Sequence, residues 1–444
     1  MIKPYTAVGL IPTVRGIRKR ADIKINLEHL EHLVKAASWL SSLDLPVRLI
    51  AFAEGALQAF NDEVLDLDHV TFARECAIDI PGEETEALGK IAKTYNAFIM
   101  AQAKAKHPEI KDRFFNVGFI LNPQGEVILQ HYKVSPLFPV EHSVCPHDIL
   151  DWWIERYGRN LDAFWPVVDT EIGRLGIMMA NEGSYPENAR ALAMNGAEVV
   201  YRASYPHPAT GNEIFEIQSR ARALDNNMYI VAPNMGTYYL FPEESTPIDT
   251  FGGRSFIINY KGQIVGRQDY GAGSTYVGGV IDIEALRDHR ARAQWDNWMK
   301  DLRTELYQML YEQPIYPKNM YLDREPMKHA EYREQVIEKQ IQLFAGYLRG
   351  TFAVNEIAAD RFLLFGESYG RMLQGCFCHI FQFAILTTSI LIEIDRREEP
   401  AVNNTHTRYT PFFHEVHKMP VTEVQLFRCF VCGQHSVEVL QAIV

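Results

Sequence analysis

Gly173-Arg174-Leu175-Gly176-Ile177-Met178-Met179-Ala180-Asn181-Glu182-Gly183-Ser184-Tyr185-Pro186-Glu187-Asn188-Ala189-Arg190 is the stretch on which the reading of this chain turns. Leu175 to Ala180 is an apolar run that reads as a buried strand. Small and polar residues follow, and then a helical run from Pro186 to Met194. Proline at a helix start and an acidic residue in the first turn are ordinary N-terminal signals. A strand ending in a sharp turn before a helix aims its last side chain into a pocket beside free backbone N–H groups. A nucleophile gains most there, because those groups can hold a developing oxyanion. Here the position is Ala180, which can do no covalent chemistry.

Strand-like and helical runs alternate outward from this point. Thr6 to Pro12 and Val47 to Ala53 read as strands. Phe115 to Leu121 and Glu126 to Tyr132 are separated by the turn sequence Asn122-Pro123-Gln124-Gly125 and predict a hairpin. Gly173 to Ala180, Ala197 to Tyr201, Tyr229 to Pro233, Arg254 to Asn259 and Tyr276 to Ile281 complete the strand set. Asn26 to Leu43 is an amphipathic helix, with apolar residues three and four apart and Asn26 as its N-cap. Glu83 to Tyr95 and Glu213 to Asp225 are further helices. Mixed strands with helices outside them predict an α/β fold, a two-sheet α-β-β-α sandwich with a C-terminal extension.

Three segments carry chemistry. Pro46-Val47-Arg48-Leu49-Ile50-Ala51-Phe52-Ala53-Glu54 ends an apolar strand on a carboxylate. Val127-Ile128-Leu129-Gln130-His131-Tyr132-Lys133 ends one on an ammonium. Ala180-Asn181-Glu182-Gly183-Ser184-Tyr185-Pro186-Glu187 is the turn already quoted. Together they resemble the nitrilase, or carbon–nitrogen hydrolase, superfamily, whose Glu–Lys–Cys triad places the cysteine in a Cys-x-Asp/Glu-x-x-x-Pro-Glu pattern. Every fixed position of that pattern is present except the cysteine. The resemblance covers about residues 5 to 290. Glu141, eight residues after Lys133, and Gly183 after Glu182 resemble the aliphatic amidase and formamidase branch, where the extra Glu helps position the substrate amide.

The resemblance implies hydrolysis of a non-peptide C–N bond in a small amide, giving a carboxylic acid and ammonia. Glu54 would be the general base, Lys133 the oxyanion stabiliser, position 180 the nucleophile and Glu141 the positioning carboxylate. With Ala180 the chain as written is expected to be inactive. Asn181, and Tyr205 with His207 after the strand ending at Tyr201, are candidate substrate contacts. Glu182 and Glu187 read as structural, paired with arginines among Arg190, Arg202, Arg220 and Arg222. Two other readings stand beside this one: a natural pseudoenzyme serving as a binding or scaffold protein, and a nitrilase or N-carbamoyl hydrolase.

Of 444 residues, 47% are hydrophobic and 23% charged, a globular balance with material for a large core. A formal net charge of −12 argues against nucleic acid or an anionic membrane surface as a partner. Met1-Ile2-Lys3-Pro4-Tyr5 leads straight into a strand, no signal peptide is visible, and six cysteines make no disulfide framework. These features point to a cytoplasmic protein. The division is a hydrolase domain over residues 1–290, a helical arm over 291–352 and an unassigned tail over 353–444. The family often uses such an arm to wrap a neighbour, so a homo-oligomer is expected. In the tail, Cys376-Phe377-Cys378-His379 and Cys429-Phe430-Val431-Cys432 could supply four zinc ligands, but neither lies in a glycine-rich knuckle. The apolar run Ile380 to Ile394 is too short for a comfortable membrane span. No phosphate-binding glycine loop is present, and no metal or organic cofactor is expected.

Overall fold

Alternation decides the layers. The structure, a computed structural model, describes residues 1–137, 140–204, 213–250, 253–312, 314–348, 429–431 and 435–437. One six-stranded sheet runs, edge to edge, Thr275–Ile281, Tyr5–Ile11, Val47–Ala51, Phe98–His107, Ile110–Leu121 and Val127–Tyr132. A second runs Ile264–Gln268, Ser255–Ile258, Tyr229–Ala232, Val199–Tyr201, Gly173–Ile177 and Val167–Thr170. Each sheet is parallel at its centre and antiparallel at its edges.

Leu49, Ala51, Met100, Leu175, Ile177, Val199 and Val231 meet between the two sheets. Their strand neighbours point outward. Ile50 and Ile99 pack with Leu30, Val34 and Leu88 of the helices Ile23–Ser41 and Glu83–Tyr95. Val200 and Ile230 pack with Leu192 and Ala223 of Pro186–Met194 and Ile214–Asn226. This is the expected α-β-β-α sandwich. Its central strands are apolar on both faces, as strands covered on both sides must be.

Several elements depart from the expectation. Phe98–His107 is a ten-residue strand that the periodicity did not single out. Its Ala and Lys residues favour helix on propensity alone. Its alternation wins instead: Ala101, Ala103 and Ala105 face the helix layer, while the neighbouring Gln102 and Lys104 are also buried. Asn26 is no N-cap. It sits inside the first helix, where its amide donates to the carbonyls of Arg15 (2.7 Å) and Leu57 (2.9 Å). The segment expected to be helical after Asp282 is broken, with Ile283–Arg292 and a later run from His329 to Leu348 flanking short turns.

By its own contacts the chain forms two compact units, Met1–Val354 and Asn355–Val444. In the second, Cys429–Val431 pairs antiparallel with His435–Val437. The Cys376 to His379 half of the imagined zinc site and the run Ile380 to Ile394 lie outside the described residues. Among the described residues no helix is long and apolar enough to cross a membrane.

Candidate active site

The carboxyl ends of three strands deliver the chemistry. Glu54 follows Val47–Ala51, Lys133 follows Val127–Tyr132 and Ala180 follows Gly173–Ile177. Strand carboxyl ends are where open α/β sheets bind ligands. Glu54, Glu141, Ala180 and Asn181 line one cavity with Phe60, Glu63, Leu137 and Val140. Lys133 lies behind the two carboxylates. Its Nζ is 2.9 Å from Glu54 Oε1 and 2.5 Å from Glu141 Oε1.

All three charged side chains are buried, with 1–6% of their surface exposed, so their partners decide their state. Burial works against the Lys133 charge. Glu141 and Glu54 outweigh it and hold the ammonium well above its usual pKa. Burial pushes Glu141 up, and Lys133 only partly offsets that. Amide side chains set the geometry. Asn116 Nδ2 donates to Glu54 Oε1 (2.9 Å) and, more weakly, towards Glu141 Oε2 (3.4 Å). Gln102 Nε2 holds Asn116 Oδ1 at 2.8 Å, and Gln102 Oε1 accepts the Gly55 N–H at 2.8 Å. Glu141 Oε1 also accepts the Leu137 N–H at 2.9 Å. Neither Asn116 nor Gln102 was singled out from sequence. Their only signal was a polar side chain inside otherwise apolar strands.

The turn at 180 is strained and clamped. Ala180 has φ +38°, a left-handed conformation that costs a non-glycine residue about 1–3 kcal/mol. Its N–H donates to the Ala203 carbonyl at 2.7 Å. Of the N–H groups expected to be available at the turn, this one is committed to the neighbouring strand. Glu182 is fully buried. It accepts from Met179 N (2.6 Å), Val134 N (2.7 Å) and His131 Nε2 (2.9 Å), and so ties the turn to the Lys133 loop.

Of the four arginines expected to pair with carboxylates, Arg220 does so with Glu216 at 3.5 Å, while Arg202 and Arg222 turn to other acceptors. Arg202, buried, donates to the Ala180 carbonyl (3.2 Å), Gln218 Oε1 (2.7 Å) and Ser219 Oγ (2.6 Å). Arg222 donates to the carbonyls of Gly183 and Ser184, each at 3.1 Å. Turn carbonyls, which no helix serves, attract these guanidinium groups. Gly183 is the consequence: a Cβ there would stand 2.0 Å from Arg202 Nε. Glu187 instead accepts from the Tyr311 hydroxyl.

Asn181 lines the cavity, but its Nδ2 reaches the carbonyls of Ser135 (3.2 Å) and Pro136 (3.4 Å). Tyr205 and His207 lie outside the described residues. Among the described residues, none that lines the cavity bears a thiol or hydroxyl. Cys76 and Cys145 are buried elsewhere, and burial pushes both thiols up, Cys76 to about 12, so neither offers a thiolate at neutral pH.

A second buried lysine stands close by. Lys104 pairs with Asp62 and, at 3.1 Å, with Glu63 Oε1. Asp62 Oδ2 and Glu63 Oε2 have no hydrogen-bond partner, and Glu63 faces the cavity.

The pattern of the carbon-nitrogen hydrolase family matches residues 7–288. A formamidase of Bacillus cereus (strain B4264) is 27% identical over 252 residues, spanning 55% of this chain and 68% of its own. Among solved structures, a carbon-nitrogen hydrolase from Helicobacter pylori G27 is similar at TM-score 0.51 and 18% identity, covering 70% of this chain and 99% of its own. An amidase from Nesterenkonia sp. is similar at TM-score 0.50 and 17% identity, covering 69% and 96%. The family match extends over more than half of the chain and takes in Glu54, Lys133, Glu141 and position 180: this protein belongs to the carbon-nitrogen hydrolase family.

Proposed function

We propose that this fold hydrolyses small amides to carboxylic acid and ammonia, and that the chain as written is a form lacking its nucleophile. The observation that carries the reading is the shared cavity: Glu54, Glu141 and Ala180 line it, and Lys133 Nζ behind them is within hydrogen-bond reach of both carboxylates. With a cysteine at 180, Glu54 takes the thiol proton and the thiolate attacks the amide carbonyl. Lys133 faces the developing oxyanion. Glu141 Oε2, holding only the long Asn116 contact, is free to accept an amide N–H. Glu54 returns the proton as ammonia leaves, then draws one from the water that hydrolyses the thioester. No metal or cofactor takes part in these steps. The formamidase relatives favour a small acyl group.

Ala180→Cys is expected to release ammonia from formamide, acetamide or propionamide, at a rate on the order of a thousandfold or more above the chain as written. A folded cysteine variant inactive on all amides would favour a binding or scaffold role. Activity on nitriles or N-carbamoyl compounds alone would move the branch. We also read the arm over 291–352 as a contact with a second copy, because Trp295, Leu310 and Met309 are 84%, 70% and 60% exposed. Equilibrium sedimentation checks it, and a monomer at micromolar concentration would end that reading.

A further inference from the structure

Outside the pocket, three side chains from distant parts of the chain point their ligand atoms at one spot. Asp66 follows the short helix Asn61–Val64, His142 follows Glu141, and His329 opens the helix His329–Tyr332 of the arm. One ligand atom from each lies within 4.8 Å of the others. His142 Nε2 is 2.9 Å from Asp66 Oδ1 and 2.6 Å from His329 Nε2. His329 Nε2 is also 3.1 Å from the Val140 carbonyl oxygen.

Hydrogen bonds alone serve this cluster badly. Asp66 and Val140 both present oxygens to imidazole nitrogens. If each ring donates to its oxygen, two N–H hydrogens face one another across 2.6 Å. If only one ring is protonated on that nitrogen, one oxygen loses its imidazole donor. The Asp66 carboxylate then keeps the His329 backbone N–H at 3.3 Å and the His329 Nδ1 at 3.9 Å. A cation resolves the conflict, since every ligand then offers a lone pair. Imidazole and carboxylate together suit zinc and similar divalent ions. His142 is buried, so its surroundings hold the ring in place. His69 Nδ1 at 2.9 Å from the His142 carbonyl steadies that residue from behind. Tetrahedral zinc at its usual bond lengths sets ligand atoms about 3.3 Å apart. The two short pairs, His142–His329 and His142–Asp66, need to open by less than about 1 Å.

We infer that Asp66, His142 and His329 form a binding site for a divalent transition ion of the zinc type, with the Val140 carbonyl or a water as fourth ligand. The ion's role is structural. It pins the arm to the segment that carries Val140 and Glu141 and to the segment that carries Asp62 and Glu63. Both segments wall the cavity. The ligands are separated by up to 263 residues in sequence, so no short motif announces them.

The test uses the untagged full chain, stripped with chelator and titrated with zinc chloride and, separately, cobalt chloride. The expected result is one equivalent bound, a raised melting temperature and a visible ligand-field band with cobalt. His329→Gln, on the partly exposed arm, is expected to weaken binding at least tenfold and abolish the band. His142→Gln should do the same if it folds, and if it does not, His329→Gln decides. The tail cysteines are controlled with a Cys429→Ser/Cys432→Ser variant, which should keep the site. Binding that survives His329→Gln, or that vanishes with the cysteines, overturns the proposal. So does a chain that takes up no ion.

Discussion

Lys133 and Lys104 are both buried, each between two carboxylates, and only Lys133 carries a catalytic role in the proposed reaction. Around Lys133 the carboxylates are positioned by amides. Asn116 reaches both, Leu137 N–H holds one, and Gln102 locks Asn116. Around Lys104, Asp62 Oδ2 and Glu63 Oε2 are left without partners, and the ammonium lies 4.9 Å and 5.4 Å from the Phe60 and Phe72 ring centroids. Burial opposes the Lys104 charge too, and its two carboxylates overcome it and hold its pKa above the usual value. Composition is therefore the same and surroundings differ. A site needs the ion cluster, a rigid polar frame to aim it, and a third wall for the reacting atom. Lys133 has the turn at 180 for that wall, and Lys104 has phenylalanines.

The sharpest way to break the contrast is kinetic. In an Ala180→Cys background, Lys133→Met should lower kcat for amide hydrolysis by on the order of a hundredfold or more, as loss of an oxyanion partner does. Lys104→Met in the same background should leave the rate of the folded fraction within about tenfold. Equal losses would erase the distinction.

Stability should divide the pair the other way round. Lys104→Met leaves two carboxylates buried together, and breaking such a pair costs about 3–5 kcal/mol. Those acids would then have folded-state pKa values above their unfolded ones. Their contribution to stability is present at low pH and lost as pH rises, so the deficit should grow from pH 4 to pH 8. Denaturant melts at several pH values check this, and a loss that shrinks with rising pH would contradict it.

The smallest effect belongs to Glu63. Burial raises its pKa well above the ordinary carboxylate range, against the pull of Lys104. A raised folded pKa means stability that is full below the unfolded value and lost as pH climbs through the folded one. Glu63→Gln removes that burden and leaves Lys104 paired with Asp62. The variant should lie within about 1 kcal/mol of the parent near pH 7, and its relative stability should rise with pH. A flat difference across pH would show that Glu63 does not carry the burden.

Much of this was legible in the sequence because it is local. The strands ending at Glu54 and Lys133 and the turn at 180 each announce themselves within ten residues, and apolar runs marked most strands of both sheets, though not Phe98–His107, Val167–Thr170 or Ile264–Gln268. The rest was long-range. Asn116 and Gln102 look like interruptions in strands until Glu54 and Glu141 stand beside them. Arg202 looks like a partner for acids until the carbonyls of the 180 turn are seen to need donors. Phe98–His107 is written in helix-favouring residues, and only the layer behind Ala101, Ala103 and Ala105 makes it a strand. Tyr205 stays a sequence expectation alone.

Gly183 and Arg202 bear on how this protein can be recombined. A Cβ at 183 would stand 2.0 Å from Arg202 Nε, so the two positions are one unit of inheritance. A chimera that imports a relative's loop over 180–190 with a larger residue at 183 must import the strand through 202 as well. A library that varies 183 alone must displace the buried Arg202 guanidinium, so its members are expected to be less stable than the parent. Varying 183 and 202 together, with Gln218 and Ser219 included because Arg202 also binds them, opens sequences that stepwise mutation cannot reach.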